Sequence, residues 1–262
     1  MRSGYLFGLL FAALLSPVPL RAQNPAPGRN VLPIRGQPQE ISFYPGSASG
    51  PGQHKKVLFA PGDLGMHGFA VTIAETMASW GYDVYGLETR KYLQGFTGNA
   101  SLTEAEVMQD FRQIISWMNA GQPQRVILLG WSEGAGLCRL AAASDQNKDI
   151  VGGMISIGMT ELNALGWHWS DLLSSLVKRE PHEPEFLSLN YLPKIAPRPL
   201  MMIQSSQDEY VTLEAAQRLF AASREPKRFV RIVAKNHRFE GNHEEFFRML
   251  REGLLWIASR QR

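Results

Sequence analysis

Three side chains, met in the order Ser132, Asp208 and His237, have the chemistry for nucleophilic acyl transfer. Ser132 lies in Gly130-Trp131-Ser132-Glu133-Gly134, a G-x-S-x-G pattern, with the apolar run Arg125 to Leu129 before it and small residues after it. That is the strand, tight turn and helix start in which a serine hydroxyl is held out as a nucleophile. The turn is strained, and side chains at Gly130 and Gly134 are expected to collide with the neighbouring strand and helix. The amide of Glu133, the residue after the nucleophile, is the first expected oxyanion donor.

A hydroxyl is a weak nucleophile near neutral pH and needs a base within hydrogen-bond reach. Of six histidines, His237 follows the last expected strand, where a loop can bring its imidazole over the sheet edge. His54 precedes the first core strand, His243 belongs to the final helix, and His168 and His182 fall in an irregular middle segment. The acid that orients the base should end the preceding strand; Asp208 is the first choice and Glu209 the reserve. The second oxyanion donor should come from the loop after an early strand, where Val57 to Ala60 runs into Pro61 to Gly65, through the amide of Asp63 or Leu64. His67, Trp131 and Trp167 are candidate substrate contacts. Each has a plainer reading beside it: a glycine turn, a surface histidine, an aspartate opening the turn before a helix that starts at Thr212.

These residues need a scaffold that gathers strand ends. Short apolar runs at Ile41 to Tyr44, Val57 to Ala60, Asp83 to Leu87, Arg125 to Leu129, Gly153 to Ile157, Pro199 to Gln204 and Phe229 to Val233 read as strands. Several are apolar throughout, as in a parallel sheet buried on both faces. Between them, Phe69, Ile73, Met77 and Trp80 form one helical stripe, and Val107, Phe111, Ile114, Ile115 and Met118 another. Thr103 with Glu106 reads as a capping box, and the last helix is expected to start near Asn242 with Glu245 in the same role. The alternation predicts an α/β fold with a mostly parallel central sheet, helices on both faces, and a short cap segment over about 158–195. In such sheets reactive groups gather beyond the carboxyl ends of the strands. There is no H-x-x-x-H helix, no paired cysteine and no P-loop Lys-Ser/Thr, so neither a metal nor any other cofactor is expected.

Composition bounds the rest. The chain has 262 residues, 44% hydrophobic and 19% charged, as a globular domain does. A net charge of +3 with scattered Lys and Arg argues against nucleic-acid binding and leaves peripheral contact with a membrane surface open. Arg2, the apolar run from Tyr5 to Leu15 and Ala22 read as a secretory signal peptide over 1–22, with a retained anchor as the alternative. Residues 23–39, rich in Pro, Gly and Asn, read as a flexible leader, so that structure begins near Glu40 and one domain fills 40–262. Location in the periplasm or outside the cell follows, and Cys138, the single cysteine, is expected to be a buried thiol.

The residues quoted, with Pro61-Gly62-Asp63, Trp80 to Leu87, Arg90, Tyr92 and Asn236 to Gly241, resemble the VirJ/AcvB-type exported bacterial α/β-hydrolases, and more distantly dienelactone-hydrolase-like esterases. The resemblance runs from about Val57 to the end. It implies an α/β-hydrolase fold, and a serine hydrolase acting on a small-molecule or lipid ester. Its sharpest implied substrate is an aminoacylated phosphatidylglycerol. Glu133 stands where that family has an aromatic residue, and Arg238 replaces the second histidine of its pair. A peptidase or thioesterase of the same fold, and a catalytically silent binding protein, are the alternatives.

Overall fold

The computed structural model describes residues 24–98, 102–167 and 183–261. Eight strands form one sheet in the order β1-β2-β4-β3-β5-β6-β9-β10. They are β1 Gly28–Ile34, β2 Gln37–Tyr44, β3 Lys56–Ala60, β4 Asp83–Leu87, β5 Val126–Trp131, β6 Val151–Ile157, β9 Leu200–Ser205 and β10 Lys227–Ile232. From β4 to β10 every neighbouring pair is parallel, while β2 runs antiparallel to both β1 and β4.

The unbroken apolar runs serve two cores by alternation, because successive side chains on a strand point to opposite faces. On β3, Leu58 and Ala60 enter one layer and Val57 and Phe59 the other; on β5, Leu128 parts in the same way from Ile127 and Leu129. Helices α3 Glu104–Asn119 and α4 Glu133–Ala143 cover the first face, and α1 Phe69–Ser79 and α7 His243–Ser259 the second. Short helices α2 Thr89–Gly95 and α5 Leu192–Ile195, and α6 Leu213–Ala222, complete the layers.

The capping box forms as expected: the Glu106 amide donates to Thr103 Oγ1 at 3.3 Å, and the Thr103 amide to Glu106 Oε2 at 2.8 Å. At α7 the expected box is replaced by a different contact. Asn242 does precede the helix, but its Nδ2 donates to Glu245 Oε2 at 2.7 Å and its side chain caps no amide.

The leader expected over 23–39 is corrected. Residues 28–44 are a β-hairpin whose two-residue turn, Arg35 (φ 47°) and Gly36 (φ 78°), has the positive φ at both positions that tight hairpin turns need. Pro33 and Pro38, which disguised it, sit opposite each other beside the turn. β1 is the sheet edge, and β2 meets β4 only over residues 41–44, so neither proline breaks an interior ladder.

Within the expected cap, Leu162–Ala164 (β7) and Glu185–Leu187 (β8) make a separate two-stranded antiparallel sheet. The rest of that segment, 168–182, and the expected export signal, 1–22, lie outside the described residues. Among the described residues no helix is long and apolar enough to cross a membrane.

Candidate active site

Ser132 ends β5 and opens α4 with φ 54° and ψ −123°, a conformation that costs a residue with a Cβ about 1–3 kcal/mol. The chain reverses there because its neighbours have no side chains. A Cβ on Gly130 would lie 2.5 Å from Ala135 Cα in the helix, and one on Gly134 1.9 Å from the Ala60 carbonyl oxygen of β3. The expected collisions are therefore with helix and strand respectively. The Ser132 amide donates to the Ile157 carbonyl of β6 at 2.9 Å, fixing the elbow at the carboxyl end of the sheet.

His237 arrives on the loop between β10 and α7. Asn236 Oδ1 accepts from the amides of Arg238 and Glu240 at 3.0 and 3.2 Å and folds that loop. The imidazole is 6% exposed, and its Nδ1 lies 2.7 Å from Asp208 Oδ2. Asp208 follows β9 and is fully enclosed; Oδ1 accepts the amides of Tyr210 and Val211 at 3.0 and 2.9 Å, and Oδ2 also accepts Gln204 Nε2 at 3.0 Å. Burial pushes the Asp208 carboxyl upward, but the hydrogen bond and charge of His237, with the two amides, outweigh it and hold the group below its ordinary value. Glu209, the reserve, accepts the His237 backbone amide at 2.8 Å and positions the loop instead of the ring.

Three further residues fix the imidazole plane, none of them foreseen from sequence in that role. A Cβ on Gly158 would stand 2.3 Å from His237 Cε1, so the ring rests on glycine backbone next to Ile157, which holds the Ser132 amide. Trp131 stacks on the ring at 5.7 Å and 24°, and Tyr210 meets it edge-on at 5.3 Å. The Tyr210 side chain is 73% exposed, so it borders the approach from solvent. Only Gly158 had a sequence signal, as a glycine directly after a buried strand. His237 Nε2 is buried with no hydrogen-bond partner among the described residues. Contacts between a base and its nucleophile are often loose before substrate binds.

The loop after β3 reaches the same place. The Gly65 amide donates to the Gly62 carbonyl at 3.0 Å, closing a turn in which the amides of Asp63 and Leu64 donate no hydrogen bond among the described residues. A Cβ on Gly62 would be 3.2 Å from Ser132 Cβ. Glu88, unremarked in the sequence, braces this loop by accepting the Met66 amide, at 3.3 and 3.2 Å from its two oxygens. Gly65, at φ 73°, leaves room for that carboxylate, which comes within 1.6 Å of the position a Cβ would take.

Of the expected substrate contacts, His67 is exposed on the loop that follows β3, its amide donating to the Gly65 carbonyl at 2.9 Å. Trp167 is buried, its amide donating to Thr97 Oγ1 at 2.9 Å and its ring lying under Arg90. Cys138 is buried, its Sγ donating to the Leu129 carbonyl at 3.4 Å, and burial pushes its pKa up. No cluster of potential metal ligands occurs among the described residues.

No family model matches the chain. An uncharacterized protein of Mycobacterium tuberculosis, Rv2307c, is 23% identical over 235 residues, covering 87% of this chain and 79% of the relative. Among solved structures, Est1E from Butyrivibrio proteoclasticus superposes with a TM-score of 0.65 at 14% identity, covering 88% of this chain and 99% of that one. The α/β hydrolase GrgF from Penicillium sp. sh18 gives 0.67 at 14%, covering 89% and 98%. The dienelactone hydrolase from Anabaena variabilis gives 0.63 at 16%, covering 92% and 100%. With the strand order above, these likenesses establish the α/β-hydrolase fold.

Proposed function

We propose that the chain is a serine hydrolase that cleaves a carboxylic ester through Ser132, His237 and Asp208. The observation that carries this reading is the 2.7 Å Asp208–His237 contact, which leaves the opposite ring nitrogen unpartnered at the strand ends where the strained Ser132 elbow stands. Ser132 Oγ attacks the ester carbonyl as its proton passes to His237 Nε2. Asp208 fixes the tautomer and stabilises the imidazolium. The amide of Glu133, with that of Asp63 or Leu64, receives the developing oxyanion. The imidazolium protonates the departing alcohol, and a water molecule activated by the same nitrogen releases the acid from the acyl-enzyme.

The resemblance to VirJ/AcvB-type proteins supports export and a lipid or aminoacyl-phospholipid ester as the substrate class. Purified mature protein should label with a fluorophosphonate and turn over short-chain p-nitrophenyl esters, and Ser132→Ala and His237→Ala should do neither. A wild type that matches the variants leaves a silent binding protein as the reading. Release of lysine from lysyl-phosphatidylglycerol tests the lipid separately; its absence removes that substrate and leaves the esterase.

A further inference from the structure

Helix α4 carries a second polar group that the triad does not use. Arg139 lies seven residues after Ser132, about two helical turns and therefore on nearly the same side of the helix, about 10 Å further along its axis. The side chain is wholly enclosed (0% exposed), and Nε, Nη1 and Nη2 all lack a hydrogen-bond partner among the described residues. The Phe186 ring of β8 lies 5.2 Å from its Cζ. Burial pushes the guanidinium down to about 9, opposed by the fields of Glu133, Cys138 and Tyr191, so it stays charged at neutral pH.

None of the three hydrogen-bonds the guanidinium: its nitrogens have no hydrogen-bond partner among the described residues, and the Tyr191 hydroxyl donates to Glu104. Two other buried cations are hydrogen-bonded. Arg198 gives Nε, Nη1 and Nη2 to the carbonyls of Ile195, Ser144 and Lys194, and Lys56 Nζ donates to the Met118 carbonyl and Asn119 Oδ1. An enclosed charge without partners is strongly unfavourable, and such a group calls for a missing counterion. Long helical side chains lean toward the helix N-terminus, and the field of Glu133 at Arg139 agrees with that direction. That lean is toward the Ser132 end of α4.

We propose that Arg139 is an anion subsite of the active centre, taking a carboxylate or phosphate borne by the substrate within about 10 Å of Ser132. The word substrate rests on the hydrolase reading; the anion site does not. A planar guanidinium suits both oxyanions, since each can accept two parallel hydrogen bonds.

Two measurements test this on the full mature chain. The first compares kcat/KM for p-nitrophenyl hemiglutarate and its neutral counterpart p-nitrophenyl pentanoate in wild type, Arg139→Lys and Arg139→Met. Wild type should favour the anionic ester by about tenfold or more, Arg139→Met should abolish the preference, and Arg139→Lys should keep part of it, with the neutral ester changed by less than about threefold. The second follows the melting temperature of Ser132→Ala in inorganic phosphate or glutarate against chloride at matched ionic strength. A rise in either that disappears when Arg139→Met is added supports the site, and the more effective anion identifies which group it takes. A flat kinetic ratio, or no anion-dependent rise, overturns the proposal, as does an Arg139→Met protein that melts higher with the ratio unchanged. Should wild type hydrolyse neither ester, the hydrolase reading fails, and the melting experiment alone decides the anion site.

Discussion

Asp110 and Asp208 are both enclosed carboxylates with several donors, and they end in opposite situations. Asp110, in the middle of α3, accepts Arg35 Nε and Nη2 at 3.1 and 2.9 Å and the Tyr92 hydroxyl at 2.7 Å. That cluster pins the β1–β2 turn and α2 onto α3, and burial followed by the Asp110 charge raises the Tyr92 pKa well above its ordinary value. Its acceptor and the Tyr92 hydroxyl are buried, and each is satisfied within the cluster. Asp208 sits at the carboxyl end of β9, is tied as firmly, and spends one bond on a ring whose far nitrogen remains unpartnered. Burial and satisfaction of a carboxylate therefore say little about chemistry. What separates the two is whether the string of bonds ends inside the fold or at a group able to exchange a proton.

The largest effects should fall on the open-ended string. Ser132→Ala should lower kcat roughly 10⁴- to 10⁶-fold on p-nitrophenyl esters and abolish fluorophosphonate labelling. Residual turnover within about tenfold of wild type would place the nucleophile elsewhere. Next, Asp208→Asn should reduce kcat about 10³- to 10⁴-fold with the fold intact by circular dichroism, because the amide selects the wrong imidazole tautomer. Glu209→Gln keeps an acceptor for the His237 amide and should cost less than about tenfold. Equal losses in the two variants would mean that the acid has been wrongly assigned.

The closed cluster should respond in stability alone. Asp110→Ala leaves the buried Tyr92 hydroxyl without its acceptor and Arg35 with Glu106 as its carboxylate partner, and should destabilise the fold by about 2 kcal/mol, read from urea denaturation. Its kcat per folded molecule should stay within about twofold of wild type, since no hydrogen bond or ion pair among the described residues joins Asp110, Arg35 or Tyr92 to Ser132, Asp208 or His237. A large fall in kcat with unchanged stability would dissolve the distinction between the two aspartates.

Legibility in the sequence followed the same division. The elbow could be read because strain, two glycines and a buried strand all act within a few neighbouring residues, and each leaves a local mark. Asp208 and His237 could be read from position, as residues just beyond the ends of β9 and β10. Gly158, Tyr210, Glu88 and Arg139 were not legible in their roles, since each depends on which elements the fold brings against it. A glutamate after β4 carries no sign that it will brace a loop beyond β3. The hairpin was obscured because Pro33 and Pro38 mark loops in most settings, and only the edge position of these strands makes them harmless. Nothing in the sequence of 158–195 announced the pairing of β7 with β8.

The smallest effect expected is thermodynamic and concerns the direction of a pH dependence. The folded-state pKa of Asp208 is held below its ordinary value, so the unfolded chain binds a proton there more readily than the native protein does. Its contribution to stability is thus present in full above the ordinary aspartate range and is lost as pH falls through the lower, folded value. Urea midpoints measured stepwise from pH 6 to pH 3 should fall more steeply in wild type than in Asp208→Asn, which has no carboxyl to protonate. Parallel curves would show that His237 and the two loop amides do not hold the carboxylate ionised. In that case the 2.7 Å contact would give the folded state no net preference for the ionised carboxylate.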